Sequence, residues 1–549
     1  MKRFCTIFVI LAVGLAAFAG CTRDNGTTPA ATTTTTTQAG QQPVVTAPET
    51  GPAPFSYPME GNRQVSWWEA LEGSVAANFV NLGDTPFGIA LQEQTGITIE
   101  FLHPPAGQAG EQFNLMVAVR DFPDVMTTNW FTQFPGGPER AIEEGVIHRL
   151  NDIVHNYAPN FVEFFHNERP DIGRQIRTDL GSYFAFPFVR GDIDLQVSQG
   201  PYFRADWLAE LNLPVPETVE DWEITLTAFR DHFGADAPWG YALGTFRSVD
   251  PIALAHGIRL GWYIGHEGEV RYGFVEPAYR DYLEVMRRWW ENGLIDPDWA
   301  TSNQDQINAM FTGGNMGASF GQPGSRMGVK LTAMADHPTF DIVPAPYPVL
   351  NRGDRPMHGH FDQAFPGAHS AAITTNARDI EAAARLLDFG FSPEGRIFYN
   401  FGVEGVSFNW EDNQPVYTDF MLRNPYGMPL AQAFSHHVRG HYNGIFIQDI
   451  RYLMQFWQYQ QQRDALPLWT ATDAAYHTLP TLAFTPEEAA VVARLQSDIT
   501  TFVNERHLRF IFGHDDLSTF DDYVAQVYRM GLQELIDVQE AALARWRAR

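Results

Sequence analysis

Gly317-Ala318-Ser319-Phe320-Gly321 carries the G-x-S-x-G spacing of a serine nucleophile. That chemistry needs the serine on a sharp strand-to-helix turn, with an acid and a histidine brought to it by the fold. Histidines do follow, but the same glycines suit a segment that approaches a cleft. His358-x-His360 would point two rings the same way on a strand, and His436-His437 would point them apart. No H-E-x-x-H helix accompanies them, so no metal is expected. With 65 Asp and Glu residues, some carboxylate pair fits a glycosidase spacing by chance, and that carries no weight. The only cysteines are Cys5 and Cys21. Zinc–thiolate sites, C-x-x-C redox chemistry and a cysteine nucleophile are therefore excluded from the folded region. The expectation is a non-enzyme without a cofactor.

Cys21 has a different chemistry. Lys2 and Arg3 precede an apolar run from Phe4 to Phe18, and Ala19-Gly20-Cys21 follows. A basic start, a short apolar core and small residues make a secretory signal, too short to span a bilayer. It looks like a bacterial lipoprotein signal, in which the chain is cut before the cysteine and the cysteine is acylated. Phe18 stands where Leu is usual. Residues 1–20 read as the signal. Residues 21–56, with Thr32 to Thr37 consecutive and prolines scattered around them, read as a flexible tether. The expected location is outside the cytoplasm, on the periplasmic or cell-surface face of a membrane.

The remaining chain is long enough for two domains with real cores, and 44% hydrophobic content marks it as folded. A net charge of −28 argues against nucleic acid and against adsorption to anionic lipid. No later run is apolar enough to cross a membrane.

The elements alternate. Val65 to Trp68, Ile97 to Phe101 and Asp124 to Met126 read as strands, and Thr85 to Gly96 and Phe113 to Arg120 as helices. That order predicts an α/β sheet. Thr218 with Asp221, Asn376 with Asp379, Thr485-Pro486-Glu487-Glu488, and Ser518 with Asp521 read as helix starts.

Several blocks in order resemble the extracellular solute-binding proteins of family 1, the lipoprotein subunits of bacterial ABC importers. They are Asn81–Phe87 with Gln94–Ile97, Glu111–Ala118 with Phe122–Val125, and Phe203–Leu208 with Pro216–Thr218 and Trp222. Asn292–Asp298, Leu387–Gly395 and Phe401–Gly405 complete the set. The resemblance spans about residues 60 to 549 and is nearest the oligosaccharide-binding branch. It implies a two-lobed periplasmic-binding-protein-like α/β fold of type II, with ligand in a cleft between lobes that close by a hinge. Expected lobes are 57–190 with 342–410, and 191–341 with 411–549, joined by crossings near 186–196, 341–344 and 408–414. The implied partners are an oligosaccharide or similar polar solute and permease subunits, for a monomeric receptor. Some members hold calcium in an EF-hand-like loop, but no D-x-[DN]-x-[DN]-G pattern occurs here. The competing readings are a secreted polysaccharide hydrolase or lyase, and a surface sensor or adhesin.

A sugar site needs flat aromatic platforms and hydrogen-bonding side chains. Trp68, Trp130 and Trp262 lie near strand ends or in Gly/Pro-rich loops and are candidates for ligand contact or core packing alike. Trp222, Trp289, Trp290 and Trp457 lie on helical patterns and read as structural. Arg204 offers a planar donor fork, or an ion pair to Asp206. Glu404, between Val403 and Gly405, could accept from two hydroxyls or cap a segment, and Tyr442 is a further candidate.

Overall fold

The computed structural model describes residues 55–549, apart from 368, 425, 426, 429 and 440–443. Its strands are β1 (Arg63–Trp68), β2 (Ile97–Leu102), β3 (Val125–Thr128), β4 (Phe186–Pro187), β5 (Val189–Arg190), β6 (Gly200–Arg204) and β7 (Trp262–Ile264). Then follow β8 (Val270–Tyr272), β9 (Ala318–Gly321), β10 (Ile342–Pro344), β11 (Ser370–Ile373), β12 (Phe408–Glu411), β13 (Gln414–Tyr417) and β14 (Ile447–Gln448).

The first sheet has the order β2-β1-β3-β11-β4. β1 pairs in parallel with β2 and β3, and β11 runs antiparallel to β3 and β4. Parallel neighbours need crossover connections, and helices Pro86–Thr95 and Ala109–Val119 supply them. Thr85 caps the first with its hydroxyl on the Gly88 amide, and Pro86 takes the first helical position. At the sheet edge, β2 buries Ile97, Ile99 and Phe101 and exposes the residues between them. Central β1 has Val65 to Trp68 buried without alternation.

The second sheet is β10-β6-β9, with both neighbours antiparallel to β6. Trp239 extends it by isolated parallel bridges to Ala318 and Ile295. Its core is aromatic: Trp222, Trp239, Trp289 and Trp299 are fully buried. Gly200 opens β6 where a Cβ would meet the Trp469 ring at 2.2 Å, so only glycine fits there. The helices read from the sequence form as capped elements. Thr218 and Asp221 make a reciprocal capping box, as do Thr485 and Glu488. Two starts shift from the sequence reading: Asp379, not Asn376, caps helix Ile380–Phe389, and before Phe520–Arg529 the cap is Asp516, accepting from the Ser518 amide, rather than Ser518 with Asp521.

The chain leaves the first sheet at β4 and enters the second at β6. It leaves the second after β10, which pairs with β6, and re-enters the first at β11. Segment 342–344, where the sequence put a crossing, is therefore inside the second sheet. Segment 408–414 belongs to the β12–β13 hairpin, whose Phe408 and Tyr417 join a third cluster with Leu195, Phe434 and Trp457. No described helix is long and apolar enough to cross a membrane.

Candidate functional site

β1, β2 and β3 run in parallel and end together at Trp68, Leu102 and Thr128. In open α/β sheets ligands bind beyond the carboxyl ends of such strands. β4 ends at the same edge, beside Ser370 at the start of β11. From β4 the chain runs into the start of β6, and from the end of β10 into the start of β11. Both connections join this edge of the first sheet to one edge of the second, where β9 and β10 end and β6 begins. The two edges are the walls of the candidate site, and the connections are its floor.

The floor is laminated from three stretches of chain. β5 pairs in parallel with β14, with the Val189 amide donating to the Phe446 carbonyl and that of Gly191 to Gln448. The Arg190 amide donates to Ala364, and the Asp362 amide to Gln196. Side chains tie the same stretches. Arg190 donates to the Gln363 carbonyl at 2.9 Å and pairs with Asp362 at 2.9 Å. His360 faces Gln199 at 3.1 Å and accepts from the Ser198 amide at 3.4 Å. Burial depresses the His360 imidazole to about 4, against the opposing pull of Asp362. Tyr347 donates to the Gln199 carbonyl at 2.6 Å and accepts from the His360 amide at 2.8 Å. The Gln199 carbonyl oxygen of the side chain is buried without a partner among the described residues.

At the first wall, Glu69 follows β1 and is buried. Arg439 lies 3.7 Å away, and the His103 ring contacts the Glu69 carbonyl at 2.9 Å. Burial raises the Glu69 carboxyl, while Arg439 and His103 hold it down. His369, next to β11, is depressed to about 4, first by burial and then by Arg439. Asn129 caps the short helix Trp130–Gln133. Beside the floor, Asn160, Glu168, Arg169, Asp192, Arg396 and Arg451 share with Phe164, Phe391 and Ile450 the lining of a cavity of about 950 Å³.

The five described residues among those expected to touch ligand do not converge. Trp68 and Trp130 do meet, on opposite sides of Phe113, with ring centroids 6.4 and 5.5 Å from it. Both are buried, and Trp130 donates to the Ser370 carbonyl at 3.1 Å. Trp262 packs against Tyr272 at 4.6 Å. Arg204 stands at the far end of β6 from the floor. It pairs with Asp206 at 2.6 Å, donates to the Phe311 carbonyl, and is sandwiched between Trp207 and Phe340. Glu404 is exposed in the turn before β12. Cys21 and Tyr442 lie outside the described residues. Ser319 sits inside β9, fully buried, donating to the Gly240 carbonyl at 2.7 Å, with no nucleophile elbow around it. His358 and His360 lie in a connection rather than a strand, and no described cluster of His, Cys, Asp and Glu fits a metal ion. The wall and floor residues Glu69, Arg190, Gln199 and Arg439 were missed, and His360 was singled out only for its spacing from His358. The one sequence signal was the strand-end position of Glu69, straight after Trp68.

The comparisons agree with this architecture. The model of the bacterial extracellular solute-binding protein family matches residues 69–397, and the chain belongs to that family. It is 19% identical over 486 residues to the fructooligosaccharide ABC transporter substrate-binding protein FusA of Streptococcus pneumoniae, covering 82% of this chain and 85% of that one. It is 22% identical over 355 residues to lipoprotein LipO of Bacillus subtilis, covering 61% of this chain and 66% of that one. Among solved structures, the alginate-binding protein AlgQ2 without calcium ion superposes with a TM-score of 0.68 at 24% identity, over 89% of this chain and 99% of that one. The fold is that of the two-lobed periplasmic binding proteins.

Proposed function

We propose that the protein is the solute-capturing receptor of an ABC importer, that its solute is an oligosaccharide, and that it makes and breaks no covalent bond. The observation that carries this is the laminated floor. Three stretches of chain, hydrogen-bonded to one another, join two sheet edges, which is the construction of a hinge closing two walls over a ligand. The names of the relatives, a fructooligosaccharide receptor and an alginate-binding protein, support a sugar as the solute. Sheet and core membership support a first lobe of residues 57–187 with 370–399 and a second of residues 200–344 with 469–535, Phe401, Phe408, Tyr417, Phe434 and Trp457 lying in a third cluster apart from both.

The anchor is read from the sequence: acylation of Cys21, palmitate included, would hold the receptor by residues 22–56 to the outer face of a bacterial membrane. LipO, itself a lipoprotein by name, supports that reading. A monomer tethered beside its permease gains effective concentration without added affinity. Isothermal titration of purified protein with neutral and acidic oligosaccharides, peptides and polyamines tests the assignment. Saturable binding of a sugar with an upward melting shift is expected. Binding only to peptides or polyamines would overturn the sugar assignment, and silence throughout would overturn the receptor.

A further inference from the structure

We propose that one flank of the cleft is an apolar pocket shared by the two lobes, and that the captured oligosaccharide carries an apolar group, aryl or alkyl, at the end that lies there. This rests on the receptor reading above and adds the class of substituent that the receptor selects.

The pocket is a cavity of about 320 Å³. Phe131, Pro138 and Leu180 line it from the first lobe, and Leu482, Phe484 and Pro486 from the second. The floor fixes its place. Phe131 follows β3 at the first wall, and its ring lies 5.3 Å from Phe184 and 6.2 Å from Phe365, the residue after Ala364 of the floor. On the other side the chain reaches Leu482 past Thr478, whose hydroxyl accepts from Arg259 at 3.4 Å. Arg259 also donates to the carbonyl of Gly359, next to His360 of the floor, at 3.0 Å. Leu482 and Phe484 pack against Ala542 and Leu543 of the last helix, Leu532–Ala548. The pocket therefore needs both lobes standing together beside the floor.

The polar groups around it are engaged with one another. Glu139 accepts from the hydroxyls of Thr178 and Ser182. Asp179 accepts from Arg545 at 2.9 Å and from Arg549 at 2.5 Å. Glu488 accepts from Arg545 at 2.5 Å and from the Thr485 amide at 2.9 Å. Arg140 donates to Glu144 at 2.6 Å, and Glu143 is exposed. A bare sugar ring needs hydrogen-bond partners around its rim of hydroxyls, and a buried hydroxyl left without one is costly. A pocket whose polar groups already hold each other suits an occupant that asks for none.

The apolar lining points the same way. Pro138 and Leu482 are buried, but the rings of Phe131 and Phe484 are only half-buried, and Leu180 is 67% exposed. An exposed leucine beside two part-open rings is apolar surface that an apolar occupant takes out of water. A pocket of this volume is at the low end of ligand sites, so it houses one end of a solute rather than the whole. Filling it buries surface of both lobes at once, and the closed arrangement is favoured by that difference in binding.

The test is titration of the full mature chain followed by ligand-observed NMR. The probes are the methyl, phenyl and hexyl β-glycosides of glucose and galactose. Phenyl or hexyl forms should bind at least about tenfold more tightly than methyl forms, with saturation transfer strongest on the apolar group. Phenyl ahead of hexyl assigns an aryl group, and the reverse an alkyl chain. F484A and L180S should each remove most of that tenfold difference and leave the methyl forms unchanged. Leu180 is exposed, so L180S should keep the ligand-free melting midpoint. D179N, which loosens one lobe from the other, should shrink the difference too. Phenyl and hexyl forms bound no better than methyl forms, or a difference that survives F484A and L180S, would overturn the pocket. A difference indifferent to D179N would overturn its sharing between lobes. If no glycoside in the set binds, the pocket falls, and the receptor is judged by the oligosaccharide titration alone.

Discussion

Asp179 accepts hydrogen bonds from Arg545 at 2.9 Å and from Arg549 at 2.5 Å. Asp179 lies between Ile176 and Tyr183, residues of the first sheet's core, while both arginines close the last helix, Leu532–Ala548, whose Leu532 and Leu535 pack in the second sheet's core. Arg545 also pairs with Glu488 at 2.5 Å. The two lobes are thus tied by charge as well as by the crossing segments.

Replacing Asp179 with Asn should weaken this tie. The acid side chain is 17% exposed and that of Arg545 31%, so the loss is discounted for solvent to about 1–2 kcal/mol. Urea denaturation should show it, and small-angle scattering should show a larger radius of gyration in the ligand-free protein. An unchanged radius and midpoint would mean the contact holds nothing together.

Trp130→Ala should lower stability by about 3–5 kcal/mol, because the ring is fully buried and its indole donates to Ser370. Trp130→Phe should lose less. If the Ala variant melts normally but loses solute affinity, the ring is a ligand platform and not core.

Acid should destabilise the fold below pH 6.5. Burial holds His507 and His358 at about 3 and His360, His369 and His437 at about 4. Between pH 6.5 and 4 the unfolded chain takes up protons that the folded one refuses, so stability falls as pH falls. Asp388 and Asp250, raised to about 7 and about 6 by burial, act in the opposite sense: their stabilisation is present in acid and lost as pH rises. The five histidines outnumber them. The fully buried His507 alone contributes on the order of 5 kcal/mol over its whole window, which runs down to about pH 3. Chemical denaturation at pH 4.5, 5.5, 6.5 and 7.5 checks the sign. A fold most stable at pH 4.5 would contradict it.

Cys21→Ser should release the protein from the membrane fraction of expressing cells. Its persistence there would remove the anchor.

Local chemistry was legible. Thr218 with Asp221 and Thr485 with Glu488 announce their helices because a capping box needs only neighbours in sequence. The alternation around Val65, Ile97 and Val125 announces the parallel sheet for the same reason. The site was not legible, because its pairs are made by the fold. Nothing near Glu69 names Arg439, and nothing near Arg190 names Asp362. Trp68 at a strand end and Trp130 before a Gly/Pro-rich loop read equally as ligand platforms or core, and both pack against Phe113. Arg204 read as a donor fork, and its second reading, the pair with Asp206, is the one observed.

In β5 the consecutive amides of Val189, Arg190 and Gly191 donate in turn to Phe446, Ala364 and Gln448. One strand of the floor is thus glued on alternate sides to both others. Laminated in this way, the ribbon resists shear between its layers while remaining free to bend and twist as a whole. A solute that drew the two walls together would bend three joined layers at once, a stiffer joint than three separate strands.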